Sequence, residues 1–203
     1  MGGKLGTLFA RAGHEVIFSY ARSEAKLKRL ARNAGGKARA GTPREAAEKA
    51  DVVLLAVHWL RIDDVLKQAG SLSGKVVVTC SMPMNADDTR LVVAQTSSGA
   101  EKLAKKIPRA RVVAAFGTVP SEVFFDVFAA RRRAKRPSLL YYGDDRKSKK
   151  VAARLIRDAG FDPVDAGPLR MARYAEPFTM LIAQLAYEQR KSPRLAYRFE
   201  RFG

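Results

Sequence analysis

Short apolar runs alternating with amphipathic helical stretches constrain this chain more than any other feature. Asp51-Val52-Val53-Leu54-Leu55-Ala56-Val57 is almost wholly apolar and rich in valine, and Val76 to Cys80 and Arg111 to Phe116 repeat the pattern. A run with no polar alternation suits a strand covered on both faces, which is how parallel sheets bury their strands. Ser23 to Ala34 places Ala25, Leu27, Leu30, Ala31 and Ala34 on a helical period and stops at Gly35-Gly36. Thr42-Pro43-Arg44-Glu45 has capping-box spacing with proline at the first helical position, which predicts a short helix through Lys49. Further helices are predicted around Ile62 to Ala69, through Lys106, and over Lys147 to Ala159. Strands are predicted at Ser138 to Tyr142 and Pro163-Val164. Pro120 to Arg136 fits either a short helix or a covering loop. Alternation of this kind predicts a doubly wound α/β fold on a parallel sheet.

The N-terminus refines that reading. Gly2 to Ala12 reads as a helix closed by Gly13, and His14 to Ser19 as the strand after it, so the chain opens in the second half of a βαβ unit. In a whole unit a first strand feeds the turn G-x-G-x-x-G, whose amides and helix N-terminus hold a pyrophosphate. Only the last glycine, Gly2, stands in this sequence. The expectation is a Rossmann-type sheet lacking its first strand, either truncated or with its true start upstream.

Residues 1–168 are expected to form the dinucleotide-binding unit, 169–190 an apolar helix for packing or dimerisation, kinked at Pro177, and 191–203 a basic tail. Asp144-Asp145 is expected to cap a helix. Cys80 is the only cysteine in 203 residues, so no internal disulfide is possible; it reads as a buried apolar residue in a reducing, cytoplasmic setting. No apolar run approaches the roughly 18 residues of a membrane span. The formal charge of +18 clusters at Arg131 to Arg136, Arg146 to Lys150 and Arg190 to Arg201. With no zinc-ligand spacing, helix-turn-helix or aromatic RNA-binding signature beside it, this charge reads as a solvated face and a loose tail, and no nucleic-acid partner is expected. No metal ligand set and no Ser/His/Asp or Cys/His constellation is present.

The chain resembles the NADP oxidoreductases that depend on the deazaflavin coenzyme F-420, a family akin to the N-terminal domains of pyrroline-5-carboxylate reductases. The resemblance rests on Ala12-Gly13-His14-Glu15-Val16, on Ala50 to Val57 with Trp59 behind it, and on Met82-Pro83. It continues in Gly143-Asp144-Asp145, Leu155 to Leu169, Ala172-Arg173-Tyr174 and Glu176-Pro177. It implies a Rossmann-type fold, a homodimer built partly from C-terminal helices, and hydride exchange between NADPH and a deazaflavin or flavin-like small molecule. The chain departs from the family pattern at Ala114 and Gly117, where lysine and asparagine are common, and at His58, where proline is common.

With that resemblance, particular residues acquire roles. An NADP site needs cations and hydroxyls at the end of the second Rossmann strand, where the ribose carries a 2′-phosphate; Ser19, Arg22, Ser23 and Lys26 supply them, and no acidic residue ends that strand. Arg22 and Lys26 also fit ordinary surface cations. Gly2 is expected to lie near phosphate or simply to pack closely. Val57 and His58 are expected to border the cofactor by backbone contact, with nothing in the sequence pairing His58 with a carboxylate. Ser81 is expected beside the nicotinamide, and Met82, Pro83, Gly117 and Thr118 on the substrate side. No residue is assigned general acid, base or nucleophile, since hydride transfer needs alignment and exclusion of water rather than side-chain chemistry. A non-catalytic NADP-binding or polyanion-binding protein derived from this fold is the alternative.

Overall fold

A computed structural model describes residues 1–21, 23–189 and 192–202. Eight α-helices and seven strands follow one another along these residues. They are α1 Gly2–Arg11, β1 Val16–Phe18, α2 Glu24–Ala34, β2 Ala38–Ala40, α3 Pro43–Lys49, β3 Val52–Leu55, α4 Ile62–Ala69 and β4 Val76–Thr79. After these come α5 Gly99–Lys106, β5 Arg111–Ala115, α6 Phe124–Ala129, β6 Ser138–Gly143, α7 Arg146–Asp158, β7 Asp162–Asp165 and α8 Ala172–Ala183.

Local chemistry sets the helix starts. Ser23, Thr42, Ser98 and Asp145 each accept a hydrogen bond from the backbone N–H three residues on, satisfying a donor the helix cannot. Pro43 opens α3 at the position where its missing N–H costs nothing. Gly35 and Gly70 end α2 and α4 at φ 72° and 75°, a region open to glycine at no steric cost.

The strands form two sheets. β1 and β2 pair in parallel, and a five-stranded sheet runs in the order β3-β4-β5-β6-β7. β3, β4 and β5 are parallel, whereas β6 is antiparallel to β5, with β7 parallel to β6. The sheet is mainly parallel, as the doubly wound reading expects, and the one antiparallel pair, β5 with β6, was not part of that reading. The segment between β5 and β6 carries only the six-residue α6. It returns the chain to the sheet at the end where β5 finished, since Ala115, the last residue of β5, pairs with Tyr141 while Val113 pairs with Gly143, the last of β6.

β3 is an edge strand of its sheet. Val52 to Leu54 are therefore only half-buried, where the sequence predicted full cover. α8 runs through Pro177 into a π-helical turn at Gln184–Glu188.

Alternate strand residues separate two cores. Val78, Val113, Ala115, Leu139 and Tyr141 face α1, α6 and α7, which add Leu5, Leu8, Phe124 and Ile156. Val77, Val112, Ala114 and Tyr142 face the opposite way, toward α4, α5 and α8, which add Ile62, Leu103 and Ala172. An edge-to-face chain, Phe9–Phe116–Phe124–Phe161, with centroids 5.9 to 6.4 Å apart, threads the first core.

Candidate functional site

Parallel strands bring their C-terminal ends to one edge, where open α/β sheets take ligands. Here β3 ends in Ala56 to Trp59, β4 in Cys80 to Met84 and β5 in Phe116 to Pro120. β1 joins the same edge, because Tyr20, just after it, donates its hydroxyl to Asp64 Oδ2 on α4 at 2.5 Å. α1 fits between: a Cβ on Gly2 would lie 3.1 Å from the Ala56 Cβ and 3.3 Å from its carbonyl oxygen. The first turn of α1 has no side-chain cap and no acidic residue. An uncapped helix N-terminus packed this closely on a strand end suits the pyrophosphate of a dinucleotide. The residues present fit that group.

Strain gathers at this edge. Tyr20, Asp88 and Phe116 adopt φ of 57°, 54° and 66°, a left-handed conformation that L side chains seldom occupy away from functional or turn positions.

The predicted residues take different positions. Ser19 and Ser23 flank the end of β1, and Lys26 is exposed on the first turn of α2, whose N-cap is the Ser23 hydroxyl. Arg22 lies outside the described residues. Ser81 donates to the Val57 carbonyl at 2.7 Å, so its hydroxyl stitches β4 to β3 rather than pointing to a ligand. Met82 and Gly117 face each other, a Cβ on Gly117 falling 3.2 Å from the Met82 Sδ. Pro83 and Thr118 are buried: Pro83 packs where a Cβ on Gly99 would clash, and Thr118 is roofed by Tyr197.

Three groups escaped the sequence reading. His58, thought to lack a carboxylate partner, has its Nε2 3.1 Å from Asp88 Oδ1, and its Nδ1 accepts from the Leu60 N–H at 3.2 Å. Those two bonds assign the Nε2–H tautomer and leave no ring nitrogen free for proton transfer. The Tyr197 and Thr118 hydroxyls are 2.7 Å apart, and Phe178, Tyr197 and Phe199 stack edge to face beside them. The tail is tied down here. The Ser138 N–H donates to the Tyr197 carbonyl, the Phe199 N–H donates to Ser138 Oγ, and Arg194 pairs with Asp126. It thus lies along β6 and over Thr118.

Glu176 was read only as part of a family motif. It is 2% exposed and accepts from the Gly99 and Ala100 amides at 2.9 and 3.0 Å, which anchors α8 to the start of α5. Burial pushes its carboxyl up to about 7. Cys80 is buried, and burial pushes its thiol up to about 12, so it is inert as a nucleophile.

Residues 1–83 match the family described as NADP oxidoreductase coenzyme F420-dependent. That match takes in α1 to the end of β4 and leaves the rest of the chain outside it. A structure from Arthrobacter sp. FB24, provisionally named an F420-dependent NADP-reductase, has a TM-score of 0.86 at 22% identity, covering 98% of this chain and 94% of that one. A reductive aminase from Aspergillus terreus, solved with NADPH, has a TM-score of 0.67 at 17% identity, over 93% of this chain and 58% of the aminase. At these identities the likeness shows the fold. Metalloreductase STEAP3 of Rattus norvegicus is 30% identical over 132 residues, 65% of this chain. The chain spans only 25% of that relative's length. Among the described residues, no helix is long and apolar enough to cross a membrane.

Proposed function

We propose that this protein is an oxidoreductase that binds NADP(H) along the strand-end edge and exchanges hydride with a deazaflavin such as coenzyme F-420, or with a flavin-like acceptor. The observation that carries the reading is the uncapped N-terminus of α1, pressed onto Ala56 between the end of β1 and the ends of β3, β4 and β5. The bound dinucleotide supplies a hydride which, with one proton from solvent, reduces the acceptor. The protein's part is placement.

Ser19, Ser23 and Lys26, with Arg22 beside them in sequence, offer hydroxyls and charge to a 2′-phosphate, and Gly2 and the first α1 amides receive the pyrophosphate. Val57 and His58 border the cofactor through backbone, the His58 ring being held off by Asp88 and Leu60. Ser81 keeps the ends of β3 and β4 in register, and Met82 and Gly117 shape the acceptor face. Pro83 and Thr118 act from behind that face, with Tyr197 closing it. Residues 1–168 serve as the dinucleotide unit, and the α8 region pairs two copies.

Calorimetric titration with NADPH and, separately, NADH tests the cofactor half. NADPH is expected to bind at least about tenfold more tightly, a difference of about 1.4 kcal/mol. Lys26→Glu should erase the preference, and Gly2→Val should weaken both ligands. Binding of neither dinucleotide overturns the reading. Steady NADPH oxidation with coenzyme F-420 or FMN tests the acceptor half, and binding without turnover on either refutes it.

A further inference from the structure

Folding sorts the charge of this chain. The helices of one layer, α1, α6 and α7 on the five-stranded sheet and α2 beside α1 on the β1–β2 pair, carry twelve Lys and Arg against three acidic residues. The helices on the other side, α3, α4, α5 and α8, carry seven against six. Nothing in folding requires this division, because both layers bury apolar faces, α2 on the β1–β2 pair beside α1 and the others on the five-stranded sheet.

The excess is ordered as well as large. Arg146, Lys150, Arg154 and Arg157 are all exposed on α7 at spacings of four, four and three residues, which puts them in one row about 16 Å long. Arg146, Lys150 and Arg157 form no ion pair among the described residues, and Arg154 has only a 3.9 Å contact with Asp158. The loop after α6 prolongs the row: a Cβ on Gly160, just past α7, would lie 3.1 Å from the Arg131 Cβ, and exposed Arg132 and Arg133 follow. Like charges four apart on a helix repel, so the row destabilises the isolated protein and gains only when a polyanion neutralises it.

We propose that this layer docks duplex nucleic acid through its phosphates, with the α7 row at the centre of the contact. Each strand of duplex DNA carries one charge per about 3.4 Å of axis, so a row about 16 Å long runs beside about five phosphates of one strand. An anionic membrane asks for apolar side chains beside the cations. The exposed Tyr174, Leu181, Leu185 and Tyr187 lie instead in and just beyond α8, and Phe125 on this layer sits under Arg11. A protein partner asks for an aromatic, charge-poor centre, which a row of four cations does not offer. The sequence showed no nucleic-acid motif, and none is needed for contact with the backbone alone.

The test is fluorescence anisotropy of a labelled duplex DNA of about two helical turns with the full, nuclease-treated chain, repeated over a range of salt. R146Q/K150Q/R154Q/R157Q is compared with R44Q/K67Q/K102Q/K105Q, which removes the same charge from exposed positions on the other layer. The α7 variant should lose at least about tenfold in affinity and lower the slope of log K against log salt by about 3 to 4, while the control changes little. K150Q/R154Q should give about half that change in slope, and circular dichroism verifies folding of each variant. Equal losses in both four-residue variants would reduce the effect to net charge and overturn the proposal. So would absence of salt-dependent duplex binding, or α7-dependent binding to phosphatidylserine vesicles in its place. NADPH binding is unaffected by these outcomes, so the docking face and the cofactor site stand or fall separately.

Discussion

The two helical layers rest on the same five-stranded sheet and differ in how each is held. The α1, α6 and α7 side is joined by large interlocking side chains, with Phe116, Phe124 and Phe161 fully buried. The α4, α5 and α8 side uses smaller residues and adds polar anchors, Glu176 on the α5 amides and Arg173 on Glu101 at 2.6 Å. The first layer tolerates an outward surface full of like charge because dispersion and apolar burial hold it. The second ties a helix in place through a buried carboxylate, which makes it sensitive to protons. An interior and an exterior of one layer can thus answer to different demands.

Phe124→Ala strikes the aromatic chain and should cost about 3–5 kcal/mol in a denaturant melt. Leu103→Ala on the other side should cost about 2–4 kcal/mol, since one aliphatic chain is lost among smaller neighbours. A larger loss for Leu103→Ala would reverse the comparison.

The third way to sharpen it is pH. Glu176 has its folded value raised from the ordinary 4.5 to about 7 by burial, so the folded chain holds this proton more tightly than the unfolded one. The contribution of this group is complete below about 4.5 and is lost as pH rises through about 7. Melting temperature should therefore fall across that window. Glu176→Gln should flatten the trend and cost about 1–2 kcal/mol, because an amide offers one acceptor to two backbone donors. An unchanged pH profile would remove proton sensitivity from the α8 anchor.

The smallest effect has the opposite sign. Lys150→Glu sets a carboxylate four residues from both Arg146 and Arg154, and should stabilise the protein by about 0.5 kcal/mol at low salt. No gain would mean that repulsion along the α7 row is already screened.

Much of the fold was legible because it is local. Ser23, Thr42 and Asp145 cap helices from three residues away, and valine-rich runs at 52, 76 and 111 form strands wherever a sheet can cover them. Strand ends such as Ala56-Val57-His58 and Ser81-Met82 could be named for the same reason, since a ligand edge follows once the strands are known. The reversal of β6 could not be read, because an apolar strand such as Ser138–Gly143 pairs in either direction and its neighbours decide.

By itself the sequence determined the order of helices and strands, their caps, and the class of sheet they build, because those preferences act within a few residues. Tertiary structure alone decided the pairing of His58 with Asp88, the roof of Tyr197 over Thr118, the anchoring of α8 by Glu176, and the collection of cations on one layer. The partners in those contacts are 30, 79 and 76 or 77 residues apart. Such contacts form only after the chain has met the entropy cost of closing long loops, which packing of the whole core supplies and no local pattern records.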